Sequence, residues 1–256
     1  MSRLSAVIIT LNEEANLPRC LESVKWADEI VVVDSESTDR TIDIAREYRA
    51  VIHRPEWRGF GPAKREGVDK AAGEWILSID ADEEVTPELA DEISEALNSG
   101  SDISGYYVPR RTQFLGRWIY HCGWYPDPVL RLFRKADGNF DDSPVHEQVV
   151  VKGKTGRLKR DLLHYSYPTL DSYFDKFNRY TGMAARKAFD QGRRAGVWDI
   201  TVRPLACFVK HYFLKRGFLD GLEGLIISVL SACHVLTKYA KLRDLARRSA
   251  DEKSSS

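Results

Sequence analysis

The chain has 256 residues, 43% of them hydrophobic and 30% charged, with a formal net charge of zero. That is enough apolar material for a full core in one enlarged domain or two small ones. Its four cysteines, Cys20, Cys122, Cys207 and Cys233, stand far apart with no C-x-x-C pair, which argues against a disulfide-stapled secreted fold and fits a reducing cytoplasm.

The N-terminal residues run directly into an apolar segment without the h-region and cleavage site of a signal peptide, so no export is expected. Residues 4–10, 30–34 and 75–80 are short, almost wholly apolar runs rich in β-branched residues, as in parallel strands covered on both faces. Between them Leu17, Leu21 and Val24 share one helical face, and Ser37 or Thr38 can cap a helix over 41–48. Another helix is predicted from near Pro62. Thr86 as N-cap and Pro87 at the first helical position open a helix carrying Leu89, Ile93 and Leu97, which ends near Asn98 or Gly100. This alternation is the grammar of an open α/β sheet.

From Gly105 the texture changes. Aromatic-rich segments at 106–108, 118–120, 129–133 and 149–151, with turns at Gly116, Gly123 and Gly138, predict an antiparallel extension over the site. Helical periodicity returns through Tyr173, Phe177, Tyr180 and Ala184, and 204–245 read as amphipathic or apolar helices. Residues 191–196 are the expected boundary, 197–248 a C-terminal helical region, and 249–256 a disordered tail.

Charge is unevenly spread. Residues 1–100 carry 11 Lys and Arg against 22 Asp and Glu, whereas 200–248 carry 9 against 3. The acidic front argues against nucleic acid as a partner. In the tail, Lys210, Lys215, Arg216, Lys238, Lys241 and Arg243 interleave with Phe208, Tyr212, Phe213, Phe218 and Leu219, a pattern suited to in-plane contact with an anionic membrane. Packing within the chain, or in a homodimer, is the alternative. The uncharged run 224–237 has fourteen residues, short of the roughly 20 that span a bilayer.

The chemistry concentrates at strand ends. Ile79-Asp80-Ala81-Asp82-Glu83 places two carboxylates just past an apolar strand, where open α/β sheets bind ligands. Two such acids repel unless a cation joins them, and hard oxygen donors suit Mg²⁺ or Mn²⁺ bridging to phosphates. The alternative is that Asp82, Glu83 and Glu84 open the solvated first turn of the next helix. Val31-Val32-Val33-Asp34 independently ends a second strand in a carboxylate. The first strand leads into Thr10-Leu11-Asn12-Glu13-Glu14, not a glycine-rich phosphate loop, which weakens dehydrogenase, P-loop and nucleotidyltransferase readings.

These segments, from Val7-Ile8-Ile9-Thr10-Leu11-Asn12-Glu13-Glu14 through the Asp34 segment to Gly73-Glu74-Trp75-Ile76-Leu77-Ser78-Ile79-Asp80-Ala81-Asp82-Glu83, resemble the successive motifs of family 2 glycosyltransferases. Val129-Leu130-Arg131-Leu132-Phe133-Arg134, Pro144-Val145-His146-Glu147 and Arg216-Gly217-Phe218-Leu219-Asp220-Gly221 extend the likeness to a subgroup related to lipopolysaccharide core glucosyltransferases.

The resemblance implies an α/β GT-A fold over 1–190, with its nucleotide-sugar half at 1–100 and its acceptor half at 101–190. It implies inverting transfer from a nucleotide diphosphate sugar, UDP being the family's commonest nucleotide, to a lipid-linked saccharide at the inner face of the bacterial plasma membrane. By motif position Thr10, Asn12, Glu13 and Asp34 would contact the nucleotide, Asp80 the ribose or the metal, and Asp82 the metal. On the residues themselves, Lys64 is a candidate phosphate contact, and His146 or His164 a further metal ligand. Glu147 is the favoured general base and Asp127 the runner-up. Trp118, Tyr120, Trp124 and Tyr125 either pack a subdomain or stack on an acceptor sugar. A prenyl-phosphate acceptor, or a non-catalytic sugar-nucleotide or glycan-binding relative, are the alternatives.

Overall fold

The computed structural model describes residues 3–141 and 148–254, with side chains through 249. In chain order the elements are β1 (Leu4–Thr10), α1 (Leu17–Val24), β2 (Glu29–Asp34), α2 (Thr41–Glu47), β3 (Val51–His53), α3 (Phe60–Lys70), β4 (Trp75–Asp80), β5 (Glu83–Val85), α4 (Pro87–Asn98) and β6 (Ile103–Phe114). There follow β7 (Arg117–Trp118), β8 (Asp127–Arg134), β9 (Gly138–Phe140), β10 (Val149–Val151), β11 (Lys154–Arg157), β12 (Leu162–Tyr167), α5 (Leu170–Asp190) and α6 (Val197–Val209). A π-helical turn (Lys210–Leu214), a 3₁₀ turn (Gly217–Asp220) and α7 (Gly221–Ser254) end the chain. It divides into two compact units, 1–111 with 127–165, and 112–126 with 166–256.

In the first unit the strand order is β3-β2-β1-β4-β8-β6-β12-β5. β1, β2, β3 and β4 run parallel, and β8 joins β4 antiparallel. Strand side chains alternate between faces, and both faces are covered. Leu4, Ala6 and Ile8 of β1, Val32 of β2 and Trp75, Leu77 and Ile79 of β4 pack with Leu17, Leu21, Ile44, Leu89 and Ile93 from α1, α2 and α4. Val7, Val31, Val33 and Ile76 pack on the other side with Ala63 and Val68 of α3 and with Phe133 and Phe140. Each large side chain so buried contributes about 1.5–3 kcal/mol of transfer free energy. Gly67 lets α3 lie close, since a Cβ there would stand 2.5 Å from Val7 Cγ1 and 2.9 Å from Val33 Cγ2.

Thr86 caps α4 as expected, accepting from Leu89 N at 3.2 Å with Pro87 in the first turn. α2 has no side-chain cap. Ser37 Oγ instead accepts from Asn12 N at 2.8 Å, and Thr38 N donates to Asn12 Oδ1 at 2.8 Å, so both residues fasten the β1–α1 loop. Residues 83–85 are not a helical turn but strand β5, paired antiparallel with β12 in the register Val85↔Leu162, Glu84↔Leu163, Glu83↔His164.

In the second unit, Phe114, Ile119, Cys122, Tyr173 and Ile227 form a core, with Trp124, Tyr167 and Phe177 against it. α7 packs against α5 and α6, and Gly224 makes its start possible, because a Cβ there would fall 1.9 Å from the Gly217 carbonyl oxygen. α7 continues through 249–254, where the sequence suggested a disordered tail. Counting only the uncharged run also understated this helix. Gly217–Ser249 is long and apolar enough to cross a membrane by length and composition, with a mean hydropathy of 1.6 over its most apolar 18-residue window.

Candidate active site

Parallel register brings the predicted donor residues to one edge of the sheet. Thr10 lies opposite Asp34, and Ile9 opposite Asp80, so β1, β2 and β4 all end there. Asp34 is fully buried. Its carboxylate accepts from Thr10 Oγ1 (3.2 Å), Ser37 N (3.0 Å) and Arg54 Nε (3.1 Å), and so fixes the β2–α2 loop. Asn12, at φ 53°, and Glu13 lie on the adjoining loop, where the Glu13 N–H donates to Thr41 Oγ1 at 2.8 Å.

Asp80 follows Ile76 and Ser78 on the face covered by α3, which explains its partner. Lys64 of α3, only 4% exposed, places Nζ 2.9 Å from Asp80 Oδ1. Arg131 Nη2 lies 2.6 Å from Asp80 Oδ2 and 2.6 Å from Glu83 Oε1. Glu83 also accepts from Asp80 N (2.9 Å) and from Arg110 Nη1 (3.2 Å), and Arg110 grips Asp127 Oδ2 through Nε (3.0 Å) and Nη2 (2.6 Å). Lys64, Asp80, Arg131, Glu83, Arg110 and Asp127 thus alternate in sign along one chain of charges. Burial alone would raise the Asp80 carboxyl, but Arg131 and then Lys64 outweigh it and hold it well below the usual carboxylate range. The repulsion that sequence reasoning assigned to a metal is therefore already relieved at Asp80 by two side-chain cations.

Asp82 stands differently. The β5–β12 pairing carries His164 to it, with Nε2 3.3 Å from Asp82 Oδ2, and Tyr165 N donates to the Asp82 carbonyl at 2.9 Å. Among the described residues, no group of three or more His, Cys, Asp or Glu side chains is placed to hold a metal. The donor set fits a cation of another kind. Mg²⁺ in phosphate-handling sites is held by one or two carboxylates, completed by water and by substrate phosphate oxygens. His164 Nδ1 is buried with no hydrogen-bond partner among the described residues, and metal-bound imidazoles are usually anchored through that second nitrogen. Asp82 therefore ranks ahead of His164 as a ligand.

Glu147 and His146 lie outside the described residues. Arg131, Arg110 and the buried role of Glu83 were missed by the sequence reading; the available signal was an arginine alternating with apolar residues inside β8. Cys20 Sγ lies 3.6 Å from the Asp80 carbonyl oxygen. Burial first, then Glu83, Asp82 and Asp80, push its thiol well above the ordinary range, so it packs as a neutral group.

Residues 5–147 match the model of the family described as glycosyl transferase family 2. The chain belongs to this family. Its mixed sheet flanked by helices is the GT-A fold, and the protein is a glycosyltransferase. It is 32% identical to the lipopolysaccharide core biosynthesis glycosyltransferase LpsC of Rhizobium meliloti, over 93% of either chain. It is 31% identical to an uncharacterized glycosyltransferase, RP128, of Rickettsia prowazekii, over 97% of this chain and 89% of that one. Among solved structures, glucosyl-3-phosphoglycerate synthase from Mycobacterium tuberculosis overlaps at a TM-score of 0.42 with 21% identity, covering 53% of this chain and 57% of that one. That likeness is too slight to bear on ligands.

Proposed function

We propose that this glycosyltransferase moves a hexose, with inversion, from a nucleotide diphosphate donor, UDP-sugar, to a lipid-linked saccharide such as lipopolysaccharide core. The observation that carries the donor reading is the convergence of Thr10, Asp34, Asp80 and Lys64 at the carboxyl ends of three parallel strands, with Asp82 just beyond. The name of the Rhizobium relative supports the acceptor class.

Thr10, Asp34 and the loop clipped by Asn12 and Glu13 would shape the nucleoside site, and Lys64 would face the diphosphate. Asp82, with His164 beside it, would hold Mg²⁺ or Mn²⁺, which when bound supplies positive charge to the departing diphosphate. The buried charge chain keeps Asp80 ionised and Lys64 fixed before substrate arrives, so little reorganisation is needed. Glu147 is our choice of base for the acceptor hydroxyl. Asp127 is the second choice, its Oδ2 being engaged by Arg110. The test is Asp82→Asn beside Glu147→Gln in a transfer assay. Asp82→Asn is expected to abolish transfer with the fold intact, and Glu147→Gln to cut turnover with a smaller effect on donor binding. Wild-type rates in either variant would remove that residue's role.

The membrane reading rests on α6 and the turns after it. No residue of α6 is fully buried, while Val197, Trp198, Leu205, Phe213, Leu214, Leu219 and Leu222 are 52–74% exposed. Exposed Lys210, Lys215 and Arg216 sit among them. Apolar groups ringed by cations suit an in-plane seat on the anionic inner face of the plasma membrane.

A further inference from the structure

The aromatic segment 118–125 was open to two readings, packing or sugar stacking, and the second unit separates its members. Trp124 joins the core, its ring 5.9 Å from Phe114 at 89° and 5.6 Å from Tyr167. Ile119 and Cys122 are fully buried there. Tyr120, between them in sequence, is turned outward at 46% exposure, its ring edge-on to Tyr125 at 5.8 Å. An aromatic ring with that much exposed surface is the kind of platform on which the apolar side of a pyranose stacks.

The neighbouring residue is held with unusual care. Asp220, from the Arg216–Gly221 motif, is 2% exposed. One carboxylate oxygen accepts from His121 N at 2.8 Å; the other accepts from Tyr120 N at 3.3 Å and lies 3.0 Å from His121 Nδ1. Facing a carboxylate oxygen, Nδ1 is the donor of this pair, and Nε2 is the ring nitrogen directed away from Asp220. The His121 side chain is 31% exposed, and among the described residues none of its hydrogen bonds uses Nε2. Backbone and ring are therefore gripped by one buried acid, which fixes the orientation of the ring. Cys122, next in the chain, contributes no reactive group, since burial pushes its thiol up to about 11.

The geometry points to a saccharide-binding subsite carried wholly by the second unit, in which Tyr120 stacks on a pyranose ring of the acceptor and His121 Nε2 hydrogen-bonds one of its hydroxyls. Asp220 is the positioning residue. The subsite deepens the reading of a saccharide acceptor and rests on it, but its test does not need turnover.

The experiment is saturation-transfer NMR of the full chain with delipidated lipopolysaccharide core oligosaccharide, with UDP affinity measured in parallel. Tyr120→Ala and His121→Ala are each expected to weaken oligosaccharide binding at least tenfold with UDP affinity unchanged, and Tyr120→Trp to restore it. Asp220→Asn is expected to weaken binding and to change the ¹⁵N shifts that report the His121 tautomer, which a purely structural acid would not do. Unchanged binding in both alanine variants, or no oligosaccharide binding by the wild-type chain, overturns the subsite. Wild-type binding without any transfer would contradict the enzymatic reading and leave the subsite standing.

Discussion

Arg131 shows how a single side chain can govern a site it does not advertise. It sits in β8 at 6% exposure and bridges Asp80 to Glu83, each of which has one further cationic partner, Lys64 and Arg110 respectively. Removing one partner of a buried ion pair costs about 3–5 kcal/mol, because the charge left behind has lost its solvent and its partner. Arg131→Met is accordingly expected to lower unfolding stability by about that amount, read from the chemical denaturation midpoint, and to weaken nucleotide binding by leaving Asp80 held by Lys64 alone. A stability within about 0.5 kcal/mol of wild type, the range of ordinary surface substitutions, would contradict this. The acids Asp34, Asp80 and Asp82 were legible in the sequence because each follows an apolar strand. Their partners were not, since Lys64, Arg110 and Arg131 are 16 or more residues from the acids they meet, and periodicity carries no information on which strands pair.

Among the elements, the apolar runs of β1, β2 and β4 and the Thr86-Pro87 cap fixed their own positions, because burial on both faces and capping are local signals. β5 was hidden for a physical reason. Glu83-Glu84-Val85 has three residues, two of them charged, and becomes a strand only by pairing with β12 nearly 80 residues later. α6 illustrates the converse, since its amphipathic character was visible from composition but the direction of its apolar residues was not. With Trp198, Leu205, Phe213 and Leu214 outward, the wild-type chain is expected to sediment with vesicles of mixed phosphatidylethanolamine and phosphatidylglycerol. Trp198→Glu combined with Leu214→Glu is expected to stay in the supernatant without loss of unfolding stability. Equal sedimentation of the two proteins would show that this face does not seat on lipid.

At the scale of the whole molecule, the acidic and basic ends recognised in the sequence correspond to different jobs. The acidic half builds a sheet edge where Asp80 is matched by the buried cations Lys64 and Arg131 and Asp34 by Arg54, and the basic tail presents apolar residues to solvent. Family membership and the GT-A sheet agree on a glycosyltransferase, and the strand-end acids carry the proposed donor site. Calorimetric titration with UDP, GDP and dTDP, each with Mn²⁺ and again with excess EDTA, tests that claim most directly. The expected result is saturable binding of UDP that requires Mn²⁺ and is lost in EDTA, with weaker or no response to the other two nucleotides. Binding of none of the three nucleotides under either condition would contradict the assignment of a donor site to Thr10, Asp34, Asp80 and Asp82.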